Sequence, residues 1–316
     1  MDKKVQRMRV QFDSGGVALV GYLHRPAEAN ETLPCVVLGH GFSGTQDRLF
    51  DTAERFAEAG LAALTFDYRS FGESGAEPRQ VVDVRTQLED WRAAIRFARG
   101  VGGVDPERIA LWGSSLGGGH VVTVAAGDPR VAAVVAQIPF NGFPRRVEGR
   151  SAQDTLRLLG AMTVDAARGR LGLSPRYIPM VGAPGEVAVT VTARARRHIA
   201  TLSGTSGGSL WRNEVAPRGL FGMMRYRPGE VAHRLKMPLL VCSAEDDHAA
   251  LEETTRQLAE RAPRGELRRY PGDHFDFYRD PVRQLVLADQ LEFLQTHLPL
   301  PTPLRRAGDP TGSTVS

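Results

Sequence analysis

Arg108-Ile109-Ala110-Leu111-Trp112-Gly113-Ser114-Ser115-Leu116-Gly117-Gly118-Gly119 is the stretch that decides the fold. An apolar run, 109–112, leads straight into serines bracketed by glycines, and helix-like sequence then continues through His120 to Ala126. The reading is strand, sharp turn, helix. Only one register gives Gly-x-Ser-x-Gly, with Ser115 at its centre; centred on Ser114, the flanking positions are Trp112 and Leu116. A serine raised on such a turn has a strained backbone, and the residues two before and two after it come too close for a Cβ. It also sits at a helix N-terminus, where orphan N–H groups favour developing negative charge. A Gly/Ser-rich turn also arises by chance, so the motif needs partners elsewhere in the chain.

Working outward, 5–12 and 17–24 read as strands joined by Asp13-Ser14-Gly15-Gly16, a hairpin signal. Pro34-Cys35-Val36-Val37-Leu38-Gly39 is the unbroken apolar run of a buried parallel strand, and it ends in His40-Gly41-Phe42-Ser43-Gly44. A helix is expected over 46–59, closed by Gly60, then a strand over 61–67. Residues 80–99 are amphipathic, with Val81, Val84, Leu88, Trp91, Ile95 and Ala98 on one side. Asp105-Pro106 is expected to break the chain before the Ile109 strand. After the Ser115 helix comes strand 131–137. The rhythm then stops from about 140 to 236, an Arg- and Gly-rich insertion with helical patches such as 154–171. It resumes with strand 238–242, helix 251–261, strand 266–270 and helix 281–297. Alternating strands and helices imply an α/β fold with a doubly wound, mostly parallel sheet, whose ligand sites lie at the carboxyl ends of the strands.

The 316 residues are 42% hydrophobic and 24% charged, an ordinary globular composition able to bury a sizeable core. The net charge of +4 comes from dispersed arginine without interleaved aromatics, so nucleic acid is not indicated. Arg194-Ala195-Arg196-Arg197 reads as a solvated helix face. Cys35 and Cys242 each lie in an apolar strand and read as small core residues. With no signal segment and no run of membrane-spanning length, a cytoplasmic protein is expected. The stretch 299–316, rich in Pro, Thr, Gly and Ser, reads as a poorly ordered tail.

A serine nucleophile needs a base, and the base needs an orienting acid. After Ser115, one strand ends in Ser243-Ala244-Glu245-Asp246-Asp247-His248, and the last is followed by Pro271-Gly272-Asp273-His274-Phe275. Nucleophile, acid and base thus follow in order, the acid and base each just past a strand's carboxyl end. His274 is the candidate base; His248, His120 and His233 do not follow the last strand, and His40 reads as a prop for its own loop. Among Glu245, Asp246 and Asp247, an offset of three residues from the strand end favours Asp247, with Asp246 next. The oxyanion needs N–H donors, for which Leu116, after the nucleophile, and Phe42, on the loop after Gly39, are the candidates. Neither the Asp246-Asp247-His248 nor the Asp273-His274-Asp276 cluster has a recognised metal-ligand spacing, and no metal or cofactor is called for.

On these residues the chain resembles the α/β-hydrolase fold family over about residues 8–298. More narrowly it is similar to the dienelactone hydrolase-like and Xaa-Pro dipeptidyl-peptidase-like branch. Three stretches carry that likeness: Gly21-Tyr22-Leu23-His24-Arg25-Pro26, Leu64-Thr65-Phe66-Asp67-Tyr68-Arg69 with Phe71-Gly72-Glu73-Ser74-Gly75, and Tyr270-Pro271-Gly272-Asp273-His274-Phe275-Asp276. It departs from many relatives in lacking a proline shortly after the acid, where Asp247-His248-Ala249-Ala250 stands. The resemblance implies a core of 1–140 and 237–298 and a helical cap of 141–236. Leu158, Met162, Tyr177, Met180, Trp211, Phe221, Met223 and Met224 would line a pocket or form the cap's own core. The expected function is a serine hydrolase of an ester, thioester or lactone acting on a small-molecule substrate. Acyl transfer in a polyketide-type pathway, C–C bond hydrolysis and a non-catalytic binding protein on the same scaffold are the alternatives; peptidase activity ranks lower. The oligomeric state is not readable from the sequence.

Overall fold

Eight strands form one sheet in the computed structural model, which describes residues 4–29, 31–143, 149–203, 210–247 and 252–300. In chain order they are β1 (Val5–Ser14), β2 (Val17–Pro26), β3 (Leu33–Gly39), β4 (Ala62–Phe66), β5 (Val104–Ser114), β6 (Ala133–Gln137), β7 (Leu239–Ala244) and β8 (Gly265–Tyr270). Their spatial order is β1-β2-β4-β3-β5-β6-β7-β8. The β1–β2 and β2–β4 pairs are antiparallel; every pair from β4 to β8 is parallel.

Both faces of the sheet are covered, which is why β3 is buried along its whole length and carries no polar alternation. Val37 joins Leu111 in a core layer with Trp91 and Ile95 of α2 (Val84–Gly100), Val121 of α3 (Leu116–Ala125) and Leu258 of α7 (Glu252–Arg261). Val36 and Leu38 face the other way, onto Phe56 of α1 (Phe50–Glu58) and Phe293 and Leu294 of α8 (Val282–His297). The order of the parallel strands puts β5 between β3 and β6, at the centre of the parallel region.

Several local expectations shift for identifiable reasons. The β1–β2 hairpin turns on Gly15-Gly16 alone, both at positive φ (62° and 86°), because Ser14 already pairs with Val17. The expected 46–59 helix is split into a 3₁₀ turn, Gln46–Leu49, and α1. The 80–99 helix begins only at Val84: Gln80 holds φ 58°, and Asp83 is the N-cap, accepting from the Thr86 N–H. Pro106 does not end a strand. β5 runs through it from Val104, with a register shift against β3 that absorbs the irregularity.

Between β6 and β7 lie α4 (Ala152–Arg170), α5 (Ala193–Ser203) and the short α6 (Leu220–Met224). Ser151 and Asp154 cap α4 reciprocally. Asp165, fully buried on α4, accepts from the Arg218 Nε at 2.8 Å and ties the helix to the turn before α6. The expected tail starts tethered, since the Pro299 carbonyl accepts from Arg108; residues 301–316 lie outside the described residues, as does His248. Among the described residues no helix is long and apolar enough to cross a membrane.

His24 on β2 is fully buried against the Phe50 ring, and neither ring nitrogen meets a partner among the described residues. Burial pulls its pKa down to about 4 from 6.5. Because the folded value lies below the unfolded one, the unfolded chain takes the proton first, and stability is lost as pH falls from 6.5 toward 4. We expect His24→Leu to gain stability relative to wild type across that window, by up to about 3 kcal/mol at pH 4. Urea midpoints measured at pH 7 and pH 4 check this; a difference between the two proteins that does not change with pH rejects it.

Candidate active site

β5 ends at Ser114 and α3 starts at Leu116, leaving Ser115 alone on the turn with φ 54° and ψ −116°. A Cβ on Gly113 would fall 2.2 Å from the Gly117 carbonyl oxygen, and one on Gly117 would fall 2.6 Å from the carbonyl oxygens of both Gly39 and His40. The bracketing glycines are thus required by the close approach of β5, α3 and the end of β3. The Ser115 N–H donates to the Gln137 carbonyl at 2.9 Å, and its own carbonyl accepts from Phe140 at 2.8 Å.

The loop after β3 passes directly over this turn: a Cβ on Gly41 would lie 3.0 Å from the Ser115 Cβ. Phe42 and Ser115 line one cavity. The Leu116 N–H, at the first position of α3, has no intrahelical acceptor. The loop is seated by buried Asp67, which accepts from the Gln46 N–H at 2.8 Å, the Gln46 side chain at 2.9 Å and the Glu73 N–H at 3.0 Å. Burial raises the Asp67 carboxyl to about 6. His40 donates from Nδ1 to the Gly41 carbonyl at 2.9 Å, and burial lowers it to about 4, a neutral prop inside its own loop.

The loops after β7 and β8 bring Asp247 and His274 together, with Asp247 Oδ2 2.9 Å from His274 Nδ1 and both residues buried. The acceptor carboxylate fixes the proton on Nδ1 and leaves Nε2 free to accept. Glu245 and Asp246 continue the sheet ladder instead, donating backbone N–H to the Tyr270 and Gly272 carbonyls, and both are exposed. His274 shares the cavity wall with Ser115; the two are not in direct hydrogen-bond contact. His120 is buried between Gln87 and Tyr226 as a structural hydrogen-bond bridge, with its pKa lowered to about 3 by burial. His233 is exposed on a 3₁₀ turn.

One polar chain beneath the turn escaped sequence reasoning. Ser114 Oγ meets the Tyr278 hydroxyl at 2.8 Å and accepts from Gln137 at 3.1 Å; Gln290 donates to Gln137 at 2.9 Å and accepts from Trp112 at 2.9 Å. It joins β5, β6 and α8 to the segment carrying His274. Its signal in the sequence was a glutamine at the end of an apolar strand and another on the inward side of an apolar helix.

The cavity above Ser115 has a volume of about 780 Å³. Leu158, Met162, Met180, Met223 and Met224 line it, as do Phe42, Phe140, Phe143 and Phe275; Tyr177, Trp211 and Phe221 do not. The Arg194-Arg197 run is not wholly a solvated face. Arg194 enters the cavity wall, 3.3 Å from Asp273 Oδ2, and Ala195 is fully buried. Among the described residues no cluster of side chains is arranged to hold a metal ion.

Comparison with known proteins adds the lineage. The chain is 39% identical over 293 residues to the quorum-quenching protein AidA of Acinetobacter baumannii, covering 92% of this chain and 95% of the relative. It is 29% identical over 277 residues to the polyketide transferase ATR5 of Stachybotrys chlorohalonatus, covering 87% and 85% respectively. The crystal structure of the α/β hydrolase GrgF from a Penicillium species superposes with a TM-score of 0.77 at 26% identity, covering 93% of this chain and 99% of that one. Residues 30–281 match the profile of Hydrolase_4, described as serine aminopeptidase, S33. The chain belongs to this α/β-hydrolase family and is a hydrolase.

Proposed function

We propose that the protein is a serine hydrolase that cleaves an ester, thioester or lactone through an acyl-enzyme. The observation that carries the reading is the buried Asp247–His274 pair opening onto the cavity that Ser115 lines. The Ser115 oxygen attacks the carbonyl carbon while His274 Nε2 takes its proton, and Asp247 holds Nδ1–H and stabilises the imidazolium. The N–H groups of Phe42 and Leu116 receive the oxyanion. The intermediate collapses, His274 gives the proton to the leaving group, and Ser115 is left acylated. Water, deprotonated by His274, attacks the acyl carbon, and the Ser115 oxygen leaves with the proton. In the reacting complex the Ser115 hydroxyl donates to His274 Nε2, a contact of the kind that tightens only in the complex with substrate.

Residues 141–236 act in this reading as a cap whose methionines and leucines receive the apolar part of the substrate. The volume is in the range of pockets for drug-sized ligands. A quorum-quenching role, as the name of the 39% relative suggests, is the setting we propose. Acyl transfer is the second reading, favoured by the likeness to a polyketide transferase over 87% of the chain. In it an alcohol or amine takes the place of water at the acyl-enzyme.

A fluorophosphonate probe is expected to label wild type at Ser115 and to leave Ser115→Ala unlabelled, with turnover of a 4-nitrophenyl ester lowered by about 10⁴–10⁶ and folding intact. Equal turnover by the two proteins rejects the mechanism. Asp247→Asn should lower kcat by about 10⁴ while Asp246→Asn stays within a few-fold of wild type; the reverse order moves the acid to Asp246. Adding a primary alcohol during turnover separates the two readings: product that remains free acid supports hydrolysis, and product that becomes the alcohol's ester supports transfer.

A further inference from the structure

Four charged side chains line the cavity besides the His274–Asp247 pair, and three of them are accounted for. Arg194 and Asp273 face each other at 3.3 Å. Asp246 is exposed to water. Arg150 is different. It is half-buried on the insertion side of the cavity wall, which also carries Thr155, Thr190 and Thr192, and it has no carboxylate partner among the described residues. Its Nη2 donates to the carbonyls of Ala188 at 2.8 Å and Val189 at 2.5 Å, which fixes the guanidinium in place. Among the described residues its Nε and Nη1 hydrogens have no partner. Asp154, whose charge reaches Arg150, is occupied elsewhere: its oxygens accept from Ser151 and from Arg157. Desolvation lowers the pKa of Arg150, and the charge of Asp154 offsets this only in part.

A half-buried guanidinium with free N–H groups on a cavity wall and no carboxylate partner among the described residues is placed to take up an anion, and its fork suits a carboxylate. The wider field has the same sign. Residues 141–236 hold sixteen Lys and Arg against six Asp and Glu, a net +10 in a chain whose total is +4. Such a field draws anions toward the cavity.

We propose that Arg150 is a specificity-determining residue that binds a carboxylate on the substrate, remote from the scissile carbonyl. The substrate class is then an amphiphilic acyl compound: an apolar chain packed on the methionine and leucine wall, with an anionic group held at Arg150. This rests on the hydrolase reading above for which bond is cleaved, but not for the binding itself.

The test compares substrates matched in length and different in charge. On the acyl side these are 4-nitrophenyl hexanoate and the mono-4-nitrophenyl ester of adipic acid; on the leaving-group side, phenyl hexanoate and 4-hexanoyloxybenzoate. Wild type should prefer the charged member of one pair. Arg150→Gln should lower that preference by about tenfold to a hundredfold, through KM, with the neutral ester within about threefold of wild type, and Arg150→Lys should recover part of it. The pair that shows the effect tells which end of the substrate carries the carboxylate. Equal losses for charged and neutral esters make Arg150 a structural tie and overturn the assignment, as does a preference that survives in Arg150→Gln. Calorimetric binding of 6-anilino-6-oxohexanoate against its methyl ester, and of 4-hexanamidobenzoate against its methyl ester, reads both arms without turnover. A charge preference lost in Arg150→Gln there supports the assignment even if Ser115→Ala shows that Ser115 is not the nucleophile; no preference in wild type on either arm overturns it.

Discussion

Ser115 holds a backbone conformation, φ 54° and ψ −116°, that an L-residue keeps only where its surroundings over-determine it. Here they do so from three sides. Its N–H is bound by the end of β6, its carbonyl by Phe140 beyond β6 and Gly119 inside α3, and the glycines let backbone carbonyls come within a distance no Cβ tolerates, that of Gly117 at Gly113 and those of Gly39 and His40 at Gly117. The strain is therefore supported by the most buried strands of the sheet. The result is a hydroxyl projected past the carboxyl edge of the central strand, at the foot of every loop that crosses that edge.

Those loops are held by buried polar groups as well as by the apolar packing of Tyr68 and Phe71. Asp67 receives three hydrogen bonds from the segments on either side of it, and Asp90, fully buried, binds Arg69 through Nε at 2.9 Å and Nη2 at 2.6 Å and accepts from the Ser14 hydroxyl at 2.8 Å. Removing such charges from water costs more than an apolar contact of the same volume. An apolar contact, however, is non-directional and would leave the 40–46 and 67–75 loops free to slide. Three directed bonds on one carboxylate fix where Gly41 and Phe42 stand above Ser115.

Residues whose placement follows from one local rule were legible. The β3 and β5 runs follow from strand burial and the Ser115 register from its bracketing glycines, and of the three consecutive carboxylates it is Asp247, the one favoured by its offset from the strand end, that meets His274. What resisted reading depends on partners far along the chain. Residues 80–83 leave the helix because Gln80 is drawn into contacts with Ser70 and Ala216. The insertion has no rhythm because it is held by single long-range ties, Ile178 with Val215 and Asp165 with Arg218, in place of a repeating sheet. Arg194 looked solvated because its partner, Asp273, lies 79 positions further on, across the cavity mouth.

That last contact bears on how recognition and chemistry are joined. The groups proposed for chemistry stand past strand ends, where the sheet fixes them; much of the remaining cavity wall comes from the insertion, with Phe42, Phe140 and Phe275 added from the core. α5 touches both. Arg194 lines the cavity and holds Asp273, the residue before His274, while His198 stacks on Phe275, the residue after it, at 5.0 Å between ring centres. The histidine is thus flanked on both sides by contacts from a single insertion helix. The insertion is therefore more than a cover: through Arg194 and His198 it packs against the segment that carries His274.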